Sequence, residues 1–228
     1  MEIKKIRIAL DGPSGAGKST IAKMVAEKLG IVYVDTGALY RTVGLYSIEN
    51  GIAETDIDDI IESLSKIDIR LAYEDGTQKV YLNGSDVGDR IRTPLASKYA
   101  SYVSKIPEVR AFLLDVQRSI AAEGGVIMDG RDIGTVIMPD ADVKLFMEAS
   151  AKARAHRRYE ELMQKGDTST EEEVLKDIIK RDSNDQNRAA SPAIPADDAI
   201  FLDNSEYTPE ETLNVALKII KDKLSRSL

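Results

Sequence analysis

The sequence predicts an α/β fold in which a parallel β-sheet is covered by helices on both faces. Short apolar runs typical of buried strands alternate with stretches of helical periodicity, and polar clusters directly follow the strands. Ligands of such sheets bind beyond the carboxyl ends of the strands. The polar clusters lie at 11–19, 35–41 and 129–135, so a ligand site is expected there.

Five apolar runs are predicted to be strands of this sheet, and they cover 3–10, 31–34, 126–128, 143–147 and 199–202. The first predicted helix covers 18–29 and stops at Gly30, a residue that favours helix ends. The second covers 38–49 and follows Asp35-Thr36-Gly37, a helix-start signal. The remaining predicted helices cover about 107–123, 151–165, 171–182 and 208–225.

One connection between strands is far longer than a parallel sheet requires. Residues 36–124 separate the second and third strands, whereas a crossover needs about a dozen residues or more. Strand-like runs at 69–74 and 79–82 flank Asp75-Gly76, which is a hairpin signal. We therefore expect an inserted lobe at 37–105, and a core domain made of 1–36 and 106–228.

The composition excludes several classes of protein. The chain has 228 residues, a net charge of −8, no cysteine and one histidine. An acidic surface repels nucleic acid and anionic membranes. The absence of cysteine excludes disulfides and thiolate zinc sites, and a single histidine excludes a zinc site built from several histidines. With no apolar run near the roughly 20 residues that span a bilayer and no signal-peptide pattern, we expect a cytoplasmic protein. The acidic, aromatic-poor composition favours a monomer.

The stretch GPSGAGKST at 12–20 matches the phosphate-binding pattern G-x-x-x-x-G-K-[ST] between a predicted strand and a predicted helix. Its glycines let backbone N–H groups point at a phosphate, and the helix N-terminus adds positive potential. Lys18 is expected to reach the outer phosphates, and Ser19 to ligate Mg²⁺. The predicted ATP-binding residues are Gly12, Pro13, Ser14, Gly15, Ala16, Gly17, Lys18, Ser19 and Thr20.

Arginines at strand ends indicate a second anion site. Arg41 follows the second predicted strand and Arg131 the third. Arginine binds phosphate through paired hydrogen bonds and keeps its charge when desolvated. An acceptor that is itself a phosphate needs such groups as it approaches the donor. These residues favour a phosphoryl transferase with two anion sites.

The chain resembles the bacterial cytidylate kinases of the nucleoside monophosphate kinase family along nearly its whole length. The matching segments are IALDGPSGAGKST, DTGALYR, VIMDGRDIGTV, ARAHRRYEEL, RDSNDQNRAASP and ADDAIFLDNSEYTPEE. The resemblance implies a P-loop NTPase-type three-layer fold with a five-stranded parallel sheet, a monophosphate-binding insert and a lid at about 150–190. It implies direct in-line transfer from ATP to CMP or dCMP with Mg²⁺ and no covalent intermediate.

The resemblance also implies roles for residues outside the phosphate loop. Those implied to hold the acceptor phosphate are Arg41, Arg131 and Arg188. Those implied to read cytosine are Ser101, Arg110 and Asp132. Arg181 and Asp185 are implied to hold the sugar, and Thr36 completes the CMP site. The implied catalytic residues are Lys18, Arg131, Arg157 and Arg188, and the lid arginines are Arg154, Arg157 and Arg158.

Base chemistry supports the cytosine assignment. The Asp132 carboxylate can accept a hydrogen bond from the cytosine amino group, whereas uracil would present a carbonyl oxygen to it. An unpaired buried group costs about 1–3 kcal/mol, so we expect roughly 10- to 1000-fold preference for CMP over UMP. The alternative for Asp132 is a helix N-cap.

Asp35 and Asp129 end predicted strands near the phosphate loop. Their carboxylates are expected to hold waters of the Mg²⁺ shell, and the alternative for each is turn or capping chemistry. Two other functions stay open from the residues alone. One is a kinase for UMP, AMP or a small hydroxy acid; the other is a nucleotide-dependent switch, although the N-K-x-D stretch of GTPase switches is absent from the sequence.

Overall fold

The computed structural model describes residues 5–74, 77–164, 166–187 and 190–225. The chain forms two compact units. The first combines Met1–Tyr33 with Gly124–Leu228, and the second is Val34–Glu123. The predicted hairpin turn Asp75-Gly76 and the predicted site residue Arg188 lie outside the described residues.

A five-stranded sheet forms the centre of the first unit, as predicted. Its order is β2 (Val32–Asp35), β6 (Val126–Gly130), β1 (Arg7–Asp11), β7 (Val143–Glu148) and β8 (Ile200–Asp203). The central strand β1 runs parallel to β6 and to β7, and β7 runs parallel to β8. In register, Ile8 of β1 lies opposite Ile127 on one side and Val143 on the other. Apolar strands of this kind are buried on both faces, which explains their uninterrupted hydrophobic runs.

The helices α1 (Lys18–Leu29) and α8 (Pro209–Ser225) pack against the sheet, and α6 (Ala151–Gln164) and α7 (Glu171–Asn187) pack against each other. Side chains of α1 and α8, such as Ile21, Val25 and Leu213, share one buried cluster with those of β1 and β7. Helix α7 runs to Asn187, five residues beyond the predicted end at 182. In the described part of the chain, none of the helices has the length and apolar character needed to traverse a membrane.

The second unit contains α2 (Thr36–Glu49), α3 (Ile57–Ser63), α4 (Pro94–Val103), α5 (Pro107–Ala122), and a small sheet of β3 (Ile69–Glu74), β4 (Thr77–Leu82) and β5 (Ser85–Asp86). The predicted hairpin strands pair antiparallel, with Ile69 opposite Leu82. Gly44 lets α2 approach α4 closely, because a Cβ there would lie 2.8 Å from Tyr99 Cβ. The boundaries predicted for the inserted lobe, 37–105, stay a prediction.

The junction between β1 and the phosphate loop requires glycine at one position. Gly12 has φ +146°, and a Cβ on it would overlap the carbonyl oxygen of Met147 in the neighbouring strand. Gly30 has φ +64° and ends α1, yet a Cβ there would have no atom within 4 Å. A side chain at Gly12 would therefore meet both an unfavourable backbone conformation and a steric overlap, whereas one at Gly30 would meet only the unfavourable conformation.

We expect Gly12→Ala to lower the free energy of unfolding by about 3 kcal/mol or more, because strain and overlap with backbone add. Gly30→Ala, the matched control, carries only the left-handed conformation and should lose about 1 kcal/mol. Urea denaturation of the two variants measures both losses. Equal losses would show that the close packing of Gly12 on β7 does not constrain the loop.

Candidate active site

The phosphate loop leaves β1 at Gly12 and ends where α1 begins. Gly15 and Gly17 have φ values of +76° and +86°, in the left-handed region that glycine tolerates. Gly17 is the N-cap of α1, so no side chain occupies the N–H groups of the first helical turn from that position. The loop therefore offers backbone donors and a helix N-terminus to an anion, as predicted.

Lys18 is buried at the start of α1, with 5% of its surface exposed. Its ammonium group donates a hydrogen bond to the Pro13 carbonyl at 2.7 Å, which keeps the side chain folded along the loop. Burial, assisted by the nearby Arg131 charge, lowers the pKa of Lys18 to about 7; the carboxylates of Asp129 and Asp11 act in the opposite direction. A phosphate group bound in this loop would favour the charged form of Lys18.

Ser19 and Asp129 form the candidate Mg²⁺ site. The Ser19 hydroxyl donates to Oδ2 of Asp129 at 2.8 Å, and Asp129 is buried at the end of β6. Among the described residues, no group of three His, Cys, Asp or Glu side chains could hold a metal. Mg²⁺ bound with nucleotide phosphates needs only one or two protein ligands, so a hydroxyl and a nearby carboxylate fit that ion.

The Asp35 side chain caps the N-terminus of α2, which was the alternative to a metal role. Its carboxylate accepts from the Ala38 N–H at 3.1 Å at the start of α2 and pairs with Arg41 at 2.5 Å. Gln78 of β4 accepts from the Asp35 N–H at 2.8 Å, so the hairpin holds the start of α2. The predicted metal role of Asp35 stays a prediction, and Gln78 was not predicted because a lone glutamine in a strand carries no sequence signal.

A loop after β6 carries Arg131 and Asp132. Arg131 Nε donates to Asp185 at 2.8 Å, which joins a predicted phosphate ligand to a predicted sugar ligand. Asp132 is buried and occupies the N-cap position of a single π-helical turn, Ile133–Ile137, but its side chain makes no capping hydrogen bond to that turn. The helix N-cap alternative for the Asp132 carboxylate is therefore not realised.

Asp11 caps that turn instead, from the end of β1. Its two carboxylate oxygens accept from the N–H groups of Ile133 at 2.8 Å and Gly134 at 2.7 Å. Burial raises the pKa of Asp11 to about 6, although these two hydrogen bonds lower it. Asp11 is absent from the residues predicted from the sequence; a charged residue closing an apolar strand is the signal that could have identified it.

The three arginines predicted to belong to a lid differ in their surroundings. Arg154 is buried, donates to the carbonyls of Ser14 and Ala149 at 2.9 Å each, and pairs with Asp182 at 2.7 Å. Arg157 donates to the Asn204 carbonyl at 2.6 Å, and Arg158 pairs with Glu161 at 2.7 Å. Arg154 therefore ties α6 and α7 to the phosphate loop, while the roles expected for Arg157 and Arg158 toward a donor stay predictions.

The remaining predicted CMP residues fall in both units. In the second unit, Arg110 is buried, donates to the Ser104 carbonyl at 3.3 Å, and lies over the ring of Tyr40 at 5.5 Å. Thr36 is buried at the start of α2, and Ser101 is half-buried on α4. In the first unit, Arg181 is exposed on α7, four residues before Asp185 and so on the same helix face.

A cavity of about 360 Å³ adjoins the phosphate loop in the first unit. Its lining includes Pro13, Arg154, Asp182, Asp185 and Ser205. A volume of this size lies within the range of small-molecule sites. The first unit thus has a cavity in the size range of small-molecule sites, and Pro13 of the phosphate loop is part of its lining.

Comparisons with known proteins identify relatives over nearly the full chain. A family model described as cytidylate kinase matches residues 8–222. The cytidylate kinase of Caldicellulosiruptor bescii is 47% identical over 226 residues, covering 97% of this chain and 100% of that protein. That of Fervidobacterium nodosum is 48% identical over 219 residues, covering 95% and 97%.

Among solved structures, an uncharacterized protein from Eubacterium ventriosum is similar in fold. The two chains superpose with a TM-score of 0.54 at 12% identity, over 95% of this chain and 99% of that one. This likeness supports the α/β fold and says nothing further about the site.

Because the pKa of Lys18 is lowered to about 7, the side chain is mostly neutral at pH 8 and bound polyphosphate should return it to the charged form. We expect Mg·ATP binding to take up more protons at pH 8 than at pH 6, because Lys18 is already mostly charged at the lower pH. Calorimetry in buffers of different ionisation enthalpy measures this uptake. Lys18→Arg should abolish it and Lys28→Met, on the same helix, should retain it; pH-independent uptake would contradict the assignment.

We expect Asp182→Ala to lower the free energy of unfolding by about 3 kcal/mol, because it leaves the buried Arg154 guanidinium without its carboxylate. Glu161→Ala removes the carboxylate of an exposed pair with Arg158 and should lose less than about 0.5 kcal/mol. Thermal and urea denaturation compare the two. Similar losses in both variants would mean that Arg154 does not depend on Asp182.

Proposed function

Because the chain belongs to the cytidylate kinase family, we propose that it transfers the γ-phosphoryl group of ATP to CMP or dCMP and releases ADP with CDP or dCDP. The observation that carries the proposal is the grouping of Lys18, Arg131 and Asp132 in one unit, at the ends of adjacent strands. There the charge of Arg131 is close enough to lower the pKa of Lys18. The residues proposed as donor-phosphate ligand, acceptor-phosphate ligand and base reader are thus neighbours in the fold.

The reaction needs positioning and charge neutralisation rather than a catalytic base. An oxygen of the acceptor phosphate is already a nucleophile; it forms a bond to the γ-phosphorus of ATP while the bond from that phosphorus to the β–γ bridging oxygen breaks. ADP keeps the bridging oxygen. Lys18 and the arginines neutralise the charge that spreads over the transferred group.

When bound, Mg²⁺ supplies charge neutralisation on the donor phosphates. Ser19 offers its hydroxyl oxygen to the ion, and Asp129 holds that hydroxyl through the 2.8 Å hydrogen bond. Asp129 is assigned to water of the metal shell. The same assignment for Asp35 is weaker, because its carboxylate already caps α2 and pairs with Arg41.

The Arg131–Asp185 pair prepares the acceptor site. Arg131 is assigned to the acceptor phosphate and Asp185 to the sugar, and the 2.8 Å contact fixes the spacing of the two side chains. A ligand that carries phosphate and sugar in adjacent positions matches such a pair. Arg181, Arg41 and Thr36 are assigned to the same nucleotide by resemblance, as is Arg188.

Base selection is assigned to Asp132, with Arg110 and Ser101. The Asp132 carboxylate is buried, so a base that presents a carbonyl oxygen to it would place two hydrogen-bond acceptors against each other at a desolvated position. Cytosine donates through its amino group and uracil does not. This chemistry supports CMP and dCMP over UMP. A monomeric, cytoplasmic enzyme that binds neither nucleic acid nor membranes stays the expectation from composition.

The proposed function is tested by ADP release from Mg·ATP in the presence of CMP, dCMP, UMP, AMP or GMP, one at a time. CMP and dCMP should support the highest kcat/KM. If a purine monophosphate or a hydroxy acid does so instead, the chain is a kinase of different acceptor specificity. If none of them stimulates ADP release, the kinase assignment itself fails.

We expect Asp132→Ala to lower the ratio of kcat/KM for CMP over that for UMP by about 10-fold or more, because the variant removes the acceptor of the cytosine amino group. The loss should fall mainly on CMP. Asp140→Ala is the matched control, since that aspartate pairs with Arg7 at an exposed position. An unchanged CMP/UMP ratio in Asp132→Ala would assign base selection to other residues.

A further inference from the structure

A chain of hydrogen bonds joins Ser19, Asp129 and Tyr33 in the first unit. The Ser19 hydroxyl donates to Oδ2 of Asp129 at 2.8 Å, and the Tyr33 hydroxyl donates to Oδ1 at 2.9 Å. Asp129 is 6% exposed, so bulk water contributes little to its solvation. Because each carboxylate oxygen has its own donor, the carboxylate cannot rotate without losing one of them.

The ring of Tyr33 is itself held in place. It is half-buried on β2, packs against the core cluster of the sheet and α1, and carries the ammonium group of Lys23 over its face at 5.6 Å. Lys23 and Ser19 are four residues apart on α1 and so lie on one face of that helix. One helix face therefore contacts both ends of the hydrogen-bond chain.

We propose that Tyr33 is a positioning residue for the Mg²⁺ site, acting through Asp129. A serine hydroxyl that ligates a metal must direct its hydrogen away from the ion, and Asp129 provides the acceptor for that hydrogen. Tyr33 fixes the plane of the Asp129 carboxylate, and thereby the direction of the Ser19 lone pairs and of any water that Asp129 holds. This role rests on the proposed function only in that a metal–nucleotide complex binds at the loop.

Partners of metal ligands affect metal affinity strongly. Replacing a group that hydrogen-bonds a direct ligand typically weakens metal binding by about 10- to 100-fold. Tyr33 is one step further out, because it acts on the carboxylate that orients Ser19. We therefore expect Tyr33→Phe, which removes only the hydroxyl, to weaken the metal-dependent part of binding by about 3- to 10-fold.

The experiment compares the affinity of the full chain for ADP with and without Mg²⁺, by calorimetry. The readout, called the metal ratio, is the dissociation constant without Mg²⁺ divided by the dissociation constant with Mg²⁺. A lower value means that the metal contributes less to binding. Tyr33→Phe should lower that ratio by about 3- to 10-fold while leaving the affinity for metal-free ADP unchanged. An unchanged ratio overturns the proposal.

Tyr99→Phe is the matched control. The Tyr99 hydroxyl also makes a hydrogen bond, to the Ile52 carbonyl at 3.2 Å, but in the second unit. Both variants should show a small drop in Tm from the lost hydrogen bond, and only Tyr33→Phe should lower the metal ratio. Equal effects of the two variants on the ratio would assign the Tyr33 effect to general stability and overturn the proposal.

A double-mutant cycle tests whether Tyr33 acts through Asp129. Asp129→Ala, which removes both acceptor oxygens, should lower the metal ratio by itself, and adding Tyr33→Phe to it should then lower the ratio no further. If the two effects simply multiply, Tyr33 acts independently of Asp129 and the proposal is wrong. Since ADP binding needs no acceptor, failure here is distinct from failure of the CMP assay.

Discussion

Desolvated charge at the carboxyl ends of β1 and β6 is the constraint on which the site depends. Asp11, Lys18 and Asp129 are each less than 10% exposed and belong to the same small region. Burial raises the pKa of Asp11 to about 6 and lowers that of Lys18 to about 7, so it disfavours the charged form of both side chains. Backbone N–H groups hold Asp11, the Pro13 carbonyl holds Lys18, and hydroxyls hold Asp129. These contacts fix the loop after β6 relative to the phosphate loop, and thereby place Arg131 and Asp132.

A buried charged side chain also holds the helices α6 and α7 in place. Arg154 uses its guanidinium to satisfy two carbonyls and one carboxylate, so α6 and α7 are tied to the loop by a buried ion pair rather than by apolar packing alone. The apolar cluster between these helices is small, with Ala155, Val174 and Ile178 as its buried members among the described residues. Elements held by few apolar contacts open at low free energy, which suits helices expected to move over a nucleotide.

Hydrophobic periodicity predicted the bounds of strands and helices well where these elements pack through apolar side chains. It predicted them less well where ion pairs determine how far a helix extends. The strands β1, β6 and β7 and the helix α1 fall where apolar runs and the glycine at 30 place them. Helix α7 continues to Asn187 although its last residues, SNDQN, favour caps and turns. There Asp182 and Asp185 make ion pairs with Arg154 and Arg131, and these tertiary contacts outweigh the weak local preference.

The sequence by itself determined the α/β class, the phosphate loop, the hairpin in the second unit and the family, because each depends on local spacing and residue type. Only the tertiary structure decided which charged side chain serves which purpose. It made Asp11, rather than Asp132, the cap of the turn at Ile133, gave Arg154 a structural position, and set Tyr33 against Asp129. In a sequence, one aspartate cannot be distinguished from another, nor one arginine from another. Their roles differ through burial and through partners more than 100 residues away, such as Asp11 with Ile133 or Ser19 with Asp129.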